Sequence, residues 1–160
     1  AETNAIMDYI LDRHDDGRLR PPPGTPDRVR YLFWFHTSQG SLQPLLTNKF
    51  VMTAMSARAP LLMRPVAKAL VGGLDRAFFA PRLTALLKEI EKQLGQTKWF
   101  AGDKLTAADI VMGYSMELAA HRAGMDEANY PNAHRFLKQM RETPSYIRAM
   151  EKDGKGTILL

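Results

Sequence analysis

The stretch Trp99–Ala119, WFAGDKLTAADIVMGYSMELA, decides the fold of this chain. Thr106 is followed three residues later by Asp109, the spacing of a capping box. The threonine hydroxyl accepts from the Asp109 amide, and the Asp109 carboxylate answers the Thr106 amide. Leu105 before the cap and Ile110 after it are spaced for a hydrophobic staple, and the apolar body from Ile110 to Leu118 reads as a core helix. Asp109 is accordingly a folding residue rather than a catalytic one. Burial would raise the box above its usual contribution of about 1 kcal/mol, since an unpaired carboxylate in a core is costly.

Outward from this segment the periodicity stays helical. Leu83, Leu86, Leu87, Ile90 and Leu94 form a one-sided stripe, with Lys88, Glu89, Glu91 and Lys92 outside it and Gly95 as a stop signal. Pro131 opens a helix carrying Ala133, Phe136, Leu137 and Met140, and Pro144 opens a last one through Met150. Toward the N-terminus, a helix from Thr3 is closed by Asp15-Asp16-Gly17. The prolines of Arg18–Pro26, RLRPPPGTP, then impose an extended linker. Thr25 or Asp27 caps a long aromatic helix, YLFWFHTSQGSLQPLL onward, which Pro44 should kink. The segment Pro60–Pro81 reads as two short buried helices broken at Gly72-Gly73. No run alternates as a strand does, so the expected class is all-α. The apolar tail ILL is expected to dock back.

Composition narrows the chemistry. At 160 residues and 45% hydrophobic content the chain can build a core of its own. With no cysteine it has no disulfide, no thiolate nucleophile and no cysteine-held zinc, and the default compartment is the cytoplasm. His14, His36, His121 and His134 have no metal-ligand spacing, so no metal is expected. His121 and His134 read as surface residues, and Arg122 or Arg135 as a solvated partner of nearby acids. The net charge of +5 is interleaved with 17 acids and reads as a solvated surface, not a nucleic-acid footprint. In Pro60–Pro81, Arg64 and Lys68 lie four apart on an otherwise apolar helix. A core position is the favoured reading there and a membrane-surface role the lesser one.

The order WFAGDKLTAAD, then Tyr130-Pro131, then Thr143-Pro144 resembles the C-terminal helical domain of glutathione S-transferases. WFHTSQGSLQPLL resembles the aromatic helix of their fungal and bacterial branch, with Gln39 where a glutamate is usual. The opening AETNAIMDYI is similar to the last helix of that family's thioredoxin-like domain. The resemblance implies three parts: residues 1–17 as that last helix, the rest of its domain being absent; residues 18–26 as the interdomain linker; and residues 27–160 as the helical bundle. It also implies a cytoplasmic detoxification enzyme that conjugates glutathione to small hydrophobic electrophiles, with peroxidase activity a further option. Glutathione enters as substrate, and the residue that stabilises its thiolate lies outside these residues, so no catalytic residue is expected here and the segment by itself is expected to be inactive. Glu2 would take the γ-glutamyl amine and Thr3 its carboxylate, a pairing that suits an acidic helix N-terminus. Phe35, His36 and Gln39 would line the electrophile pocket, and Arg28–Met55 would include homodimer contacts. The alternative is a non-catalytic protein-interaction module of the same fold.

Overall fold

The computed structural model describes residues 2–154. The tail expected to dock back lies outside them. Among the described residues the chain is all-α. It comprises α1 (Thr3–His14), α2 (Pro26–Thr37), α3 (Gln43–Arg58), α4 (Arg64–Leu74), α5 (Ala80–Gln96), α6 (Ala107–Arg122), α7 (Pro131–Arg141) and α8 (Pro144–Asp153).

The kink expected at Pro44 takes a definite form. Residues Ser38–Leu42 make a π turn between α2 and α3, in which the Gln43 amide reaches back to the Ser38 carbonyl. Proline has no amide to give to the carbonyl four residues behind it, so the chain widens just before it. The Thr37 and Ser38 hydroxyls occupy nearby carbonyls, those of Phe33 at 2.7 Å and Phe35 at 2.8 Å. The same device recurs at Asp75–Phe79, where a second π turn precedes Pro81. Thr25, not Asp27, caps α2, its hydroxyl accepting from the Arg28 amide at 3.2 Å.

Helix α6 runs through the centre, with Ala108, Met112, Met116 and Ala119 fully buried. Around it Trp34, Phe100 and Phe136 pack in series, tilted at the first step and edge-to-face at the second, with ring centroids 4.9 Å apart at both. Both arms of the capping box are present at the start of α6. The Asp109 carboxylate accepts from the Thr106 amide at 2.7 Å, the Thr106 hydroxyl at 2.8 Å and the Phe100 amide at 2.8 Å. The linker joins this knot, since the Leu19 carbonyl takes the Ala107 amide at 2.9 Å. Gly102 lies close beside it: a Cβ there would sit 2.9 Å from a carboxylate oxygen of Asp27, whose exposed side chain would have to shift.

Two elements depart from the sequence reading. Gly72-Gly73 does not break the chain, for α4 runs through both glycines into the second π turn. A glycine in a helix costs about 1 kcal/mol relative to alanine, a price the helical context absorbs. Nor is the Pro60–Pro81 region buried as two core helices: α4 has no buried residue, and Phe79 is buried only at the far end. Its half-buried positions, among them Ala67, Val71 and Gly72, form its packed side, and the rest of its apolar residues face outward. Among the described residues Arg135 meets backbone carbonyls rather than an acid. Its guanidinium donates to the carbonyls of Leu94 at 2.6 Å and Thr97 at 3.2 Å, closing the C-terminal end of α5. His134 is half-buried, its Nε2 lying 2.7 Å from the Met125 carbonyl oxygen.

Candidate functional site

Helix α1 begins without a side-chain cap. Glu2 stands at the cap position in extended conformation, and its side chain makes no capping bond. Among the described residues, the first amide of the helix to find a carbonyl is that of Ile6, which donates to Glu2 at 2.9 Å. The amides before it therefore point out of the helix, where its dipole favours an anion. Glu2 and Thr3 are both exposed.

This helix end is held in place from several directions. The Asn4 amide nitrogen donates to the Phe35 carbonyl at 2.8 Å, and Leu11 is buried in the core. Arg20, in the linker, bridges Asp8 at 2.9 Å and Asp12 at 2.6 Å on the outer face of α1.

Thr3 opens onto a cleft of about 290 Å³ whose other walls include Gln39, Gln43, Ile110 and Tyr114. The Gln43 side-chain oxygen Oε1 accepts from the buried Ser115 hydroxyl at 2.8 Å, which fixes the side chain between α3 and α6. Tyr114 is 47% exposed and serves as a shared wall. One side of it borders the Thr3 cleft. Another borders a larger cleft of about 660 Å³ that also contains Lys49, Phe50 and Arg122. A third borders an apolar pocket of about 320 Å³ between α6 and α8, with Met140, Tyr146 and Met150. Along the edge of that pocket, Glu117 receives two bonds from Arg141, at 2.8 and 2.6 Å. The arrangement offers a polar helix end for an anionic group beside apolar and aromatic space for a second molecule.

The expected pocket residues separate. Phe35 is 1% exposed and stacked on Tyr31 with centroids 5.3 Å apart, so it is core rather than pocket wall. The four-residue repeat that joins Tyr31 to Phe35 points both inward, and the π turn then redirects the following residues. His36 is exposed with its ring edge-on to Phe35. Of the three, Gln39 alone lines the cleft with Thr3. Thr106 and Asp109 are 3% and 0% exposed and make the internal bonds described above. Burial pushes the Asp109 carboxyl up to about 6 against the pull of its three donors, and the group faces no cleft.

Ile110 and Tyr114, which the apolar run of α6 places in the core, belong to the site. They are 38% and 47% exposed. Helix α6 is apolar nearly all round, so its pattern does not mark an outward side. A tyrosine one turn after an isoleucine was the only available signal.

Fold and clefts define the class: an all-helical bundle with an open helix end beside a cleft between its first, third and sixth helices. The chain belongs to the glutathione S-transferase family, residues 66–149 matching the family described as "Glutathione S-transferase, C-terminal domain". It is 24% identical over 159 residues to glutathione S-transferase 3 of Schizosaccharomyces pombe, covering 99% of this chain and 65% of that protein. A glutathione S-transferase structure from Actinobacillus pleuropneumoniae superposes with a TM-score of 0.70 at 26% identity, over 99% of this chain and 66% of that one. Ure2p5 from Phanerochaete chrysosporium, cocrystallised with 1-(S-glutathionyl)-2,4-dinitrobenzene, shares the fold with a TM-score of 0.69 at 21% identity, over 95% of this chain and 67% of that one. The chain thus spans about two-thirds of the length of the relatives it matches.

Proposed function

We propose that the protein is a glutathione transferase and that these residues form the helical half of its site. The observation that carries this reading is the meeting of Thr3, at an uncapped helix N-terminus, with Gln39, Gln43 and Tyr114 around one cleft. The γ-glutamyl end of glutathione carries a carboxylate and an ammonium group side by side. The Thr3 hydroxyl and the free amides would receive the carboxylate, and the Glu2 carboxylate would take the ammonium.

The glutathione thiol would ionise against a donor outside these residues. Its sulfur then attacks an electrophilic carbon, the leaving group departs with the bonding pair, and a thioether remains. Tyr114 and Ile110 would face the electrophile across the cleft. The conjugate in the Phanerochaete structure supports an aromatic electrophile as the first substrate to try.

In this reading, residues 1–17 are the last helix of a thioredoxin-like domain, residues 18–26 the linker and residues 27–160 the helical domain. The protein would be cytoplasmic. It would form a homodimer whose contacts include part of Arg28–Met55, where Val29, Phe33 and Met55 are 69%, 57% and 62% exposed. The test is retention of the intact protein on immobilised glutathione, elution by free glutathione, and conjugation of 1-chloro-2,4-dinitrobenzene. Failure of both binding and conjugation would favour a non-catalytic interaction module.

A further inference from the structure

The turn between α3 and α4 is the most exposed apolar feature among the described residues. Leu61 and Leu62 are 77% and 92% exposed, and Met63 beside them 56%. The stripe continues along α4 at every fourth residue, with Val66, Leu70 and Leu74 at 53%, 70% and 41%. Large apolar side chains gathered in one patch mark a contact surface, whereas scattered ones do not.

The charge around this patch selects its occupant. Between Asp27 and Asp75 the sequence holds no acidic residue. Asp75 is itself committed to Lys49, at 2.7 and 2.8 Å. Arg58, Arg64 and Lys68 therefore flank the leucines with no carboxylate from the acid-free run to balance them. Arg58 and Lys68 are exposed, while Arg64 is half-buried and donates to the Ala59 carbonyl at 3.4 Å. A second copy docked here about a two-fold axis would bring like charges together, since an isologous contact pairs a patch with itself. Helix α4 packs on α3 and the second π turn, while α1 packs on α6, so the tip and the glutathione-side helix belong to different parts of the bundle.

We propose that the α3–α4 tip docks on an anionic phospholipid surface, with Leu61, Leu62 and Met63 entering the headgroup boundary and Arg58, Arg64 and Lys68 facing the lipid phosphates. Apolar side chains at a protruding turn with cations behind them match the layered chemistry of that surface. The cytoplasmic leaflet carries such charge, so the contact is compatible with a cytoplasmic protein. No helix among the described residues is long and apolar enough to cross a membrane, and the contact is peripheral. It stands apart from the transferase reading and survives that reading's failure.

The experiment is sedimentation of the intact protein with vesicles of phosphatidylcholine alone and with 30% phosphatidylserine. Binding to the anionic vesicles is expected to be at least tenfold stronger and to weaken with salt. R58Q/K68Q should lower it roughly twenty-fold, about fivefold for each cation near the surface. L61S/L62S should reduce it at least tenfold with an unchanged circular dichroism spectrum, because both side chains are already in water. A Leu62→Trp reporter should shift its emission to the blue on the anionic vesicles alone. Equal binding to both vesicle types, or unaltered binding by the two double variants, overturns the proposal. So does absence of vesicle binding together with a loss of dimer in L61S/L62S, which would make the tip an interface between copies.

Discussion

Glu91 on α5 caps α7 through Asn132, 41 residues further along the chain. One carboxylate oxygen accepts from the Asn132 backbone amide at 2.9 Å and from its side-chain amide at 2.6 Å, and the other accepts from the Ala133 amide at 3.0 Å. A carboxylate from another helix thus meets the positive end of α7 and satisfies amides that have no partner of their own. Glu91→Ala should destabilise the protein by about 1–2 kcal/mol, as loss of a helix cap does. Urea melts read this, and Glu91→Gln should fall between the two because its amide nitrogen opposes one of the donors.

Asp109 predicts a larger loss and a pH signature. Asp109→Ala leaves the amides of Phe100 and Thr106 buried without an acceptor, at about 3–5 kcal/mol in total. The folded carboxyl, at about 6, lies above its ordinary value of 3.8, so folding takes up a proton between those values. The group's contribution is therefore most favourable below pH 4 and falls as pH rises through 6, by roughly 3 kcal/mol at 1.4 kcal/mol per unit. In Asp109→Asn this component is gone. The stability difference between wild type and Asp109→Asn should thus narrow from pH 4 to pH 7; a constant difference would show that the donors just offset burial, and a widening one that they outweigh it.

These two residues mark where the sequence was legible. The capping box is local, four residues from end to end, and its two reciprocal arms are named by spacing alone. The one-sided stripe of α5 and the proline-started helices were legible for the same reason. Glu91 sat on the polar side of that stripe, and nothing local reveals that α7 docks its N-terminus there. Helix α4 failed differently: its apolar stripe reads as core, because periodicity reports amphipathicity and not what covers the apolar side. Phe35 and Gln39 lie one helical turn apart in sequence, and only the π turn separates their fates.

Thr3 tests the glutathione half of the proposed site. It is exposed at a helix start, so Thr3→Ala should leave the melting temperature within about 2 °C, as surface changes do. The KM for glutathione should rise about tenfold, the loss of one hydrogen bond to a charged group. Thr3→Ser should restore most of it. A KM unchanged in Thr3→Ala would place the γ-glutamyl carboxylate elsewhere.

Tyr114 and Phe35 together test the electrophile half. Both are aromatic and both lie within reach of the same helix junction, yet one is 47% exposed and the other 1%. Phe35→Ala opens a cavity in the core and should cost about 3–5 kcal/mol, with substrate KM values unchanged in the fraction that remains folded. Tyr114→Ala removes a cleft wall with little core behind it. It should alter stability by less than about 1 kcal/mol while raising the KM for 1-chloro-2,4-dinitrobenzene several-fold and leaving that for glutathione unchanged. Thermal melts and steady-state kinetics on the two variants separate these effects. A Tyr114→Ala protein with wild-type kinetics toward both substrates would move the electrophile away from α6.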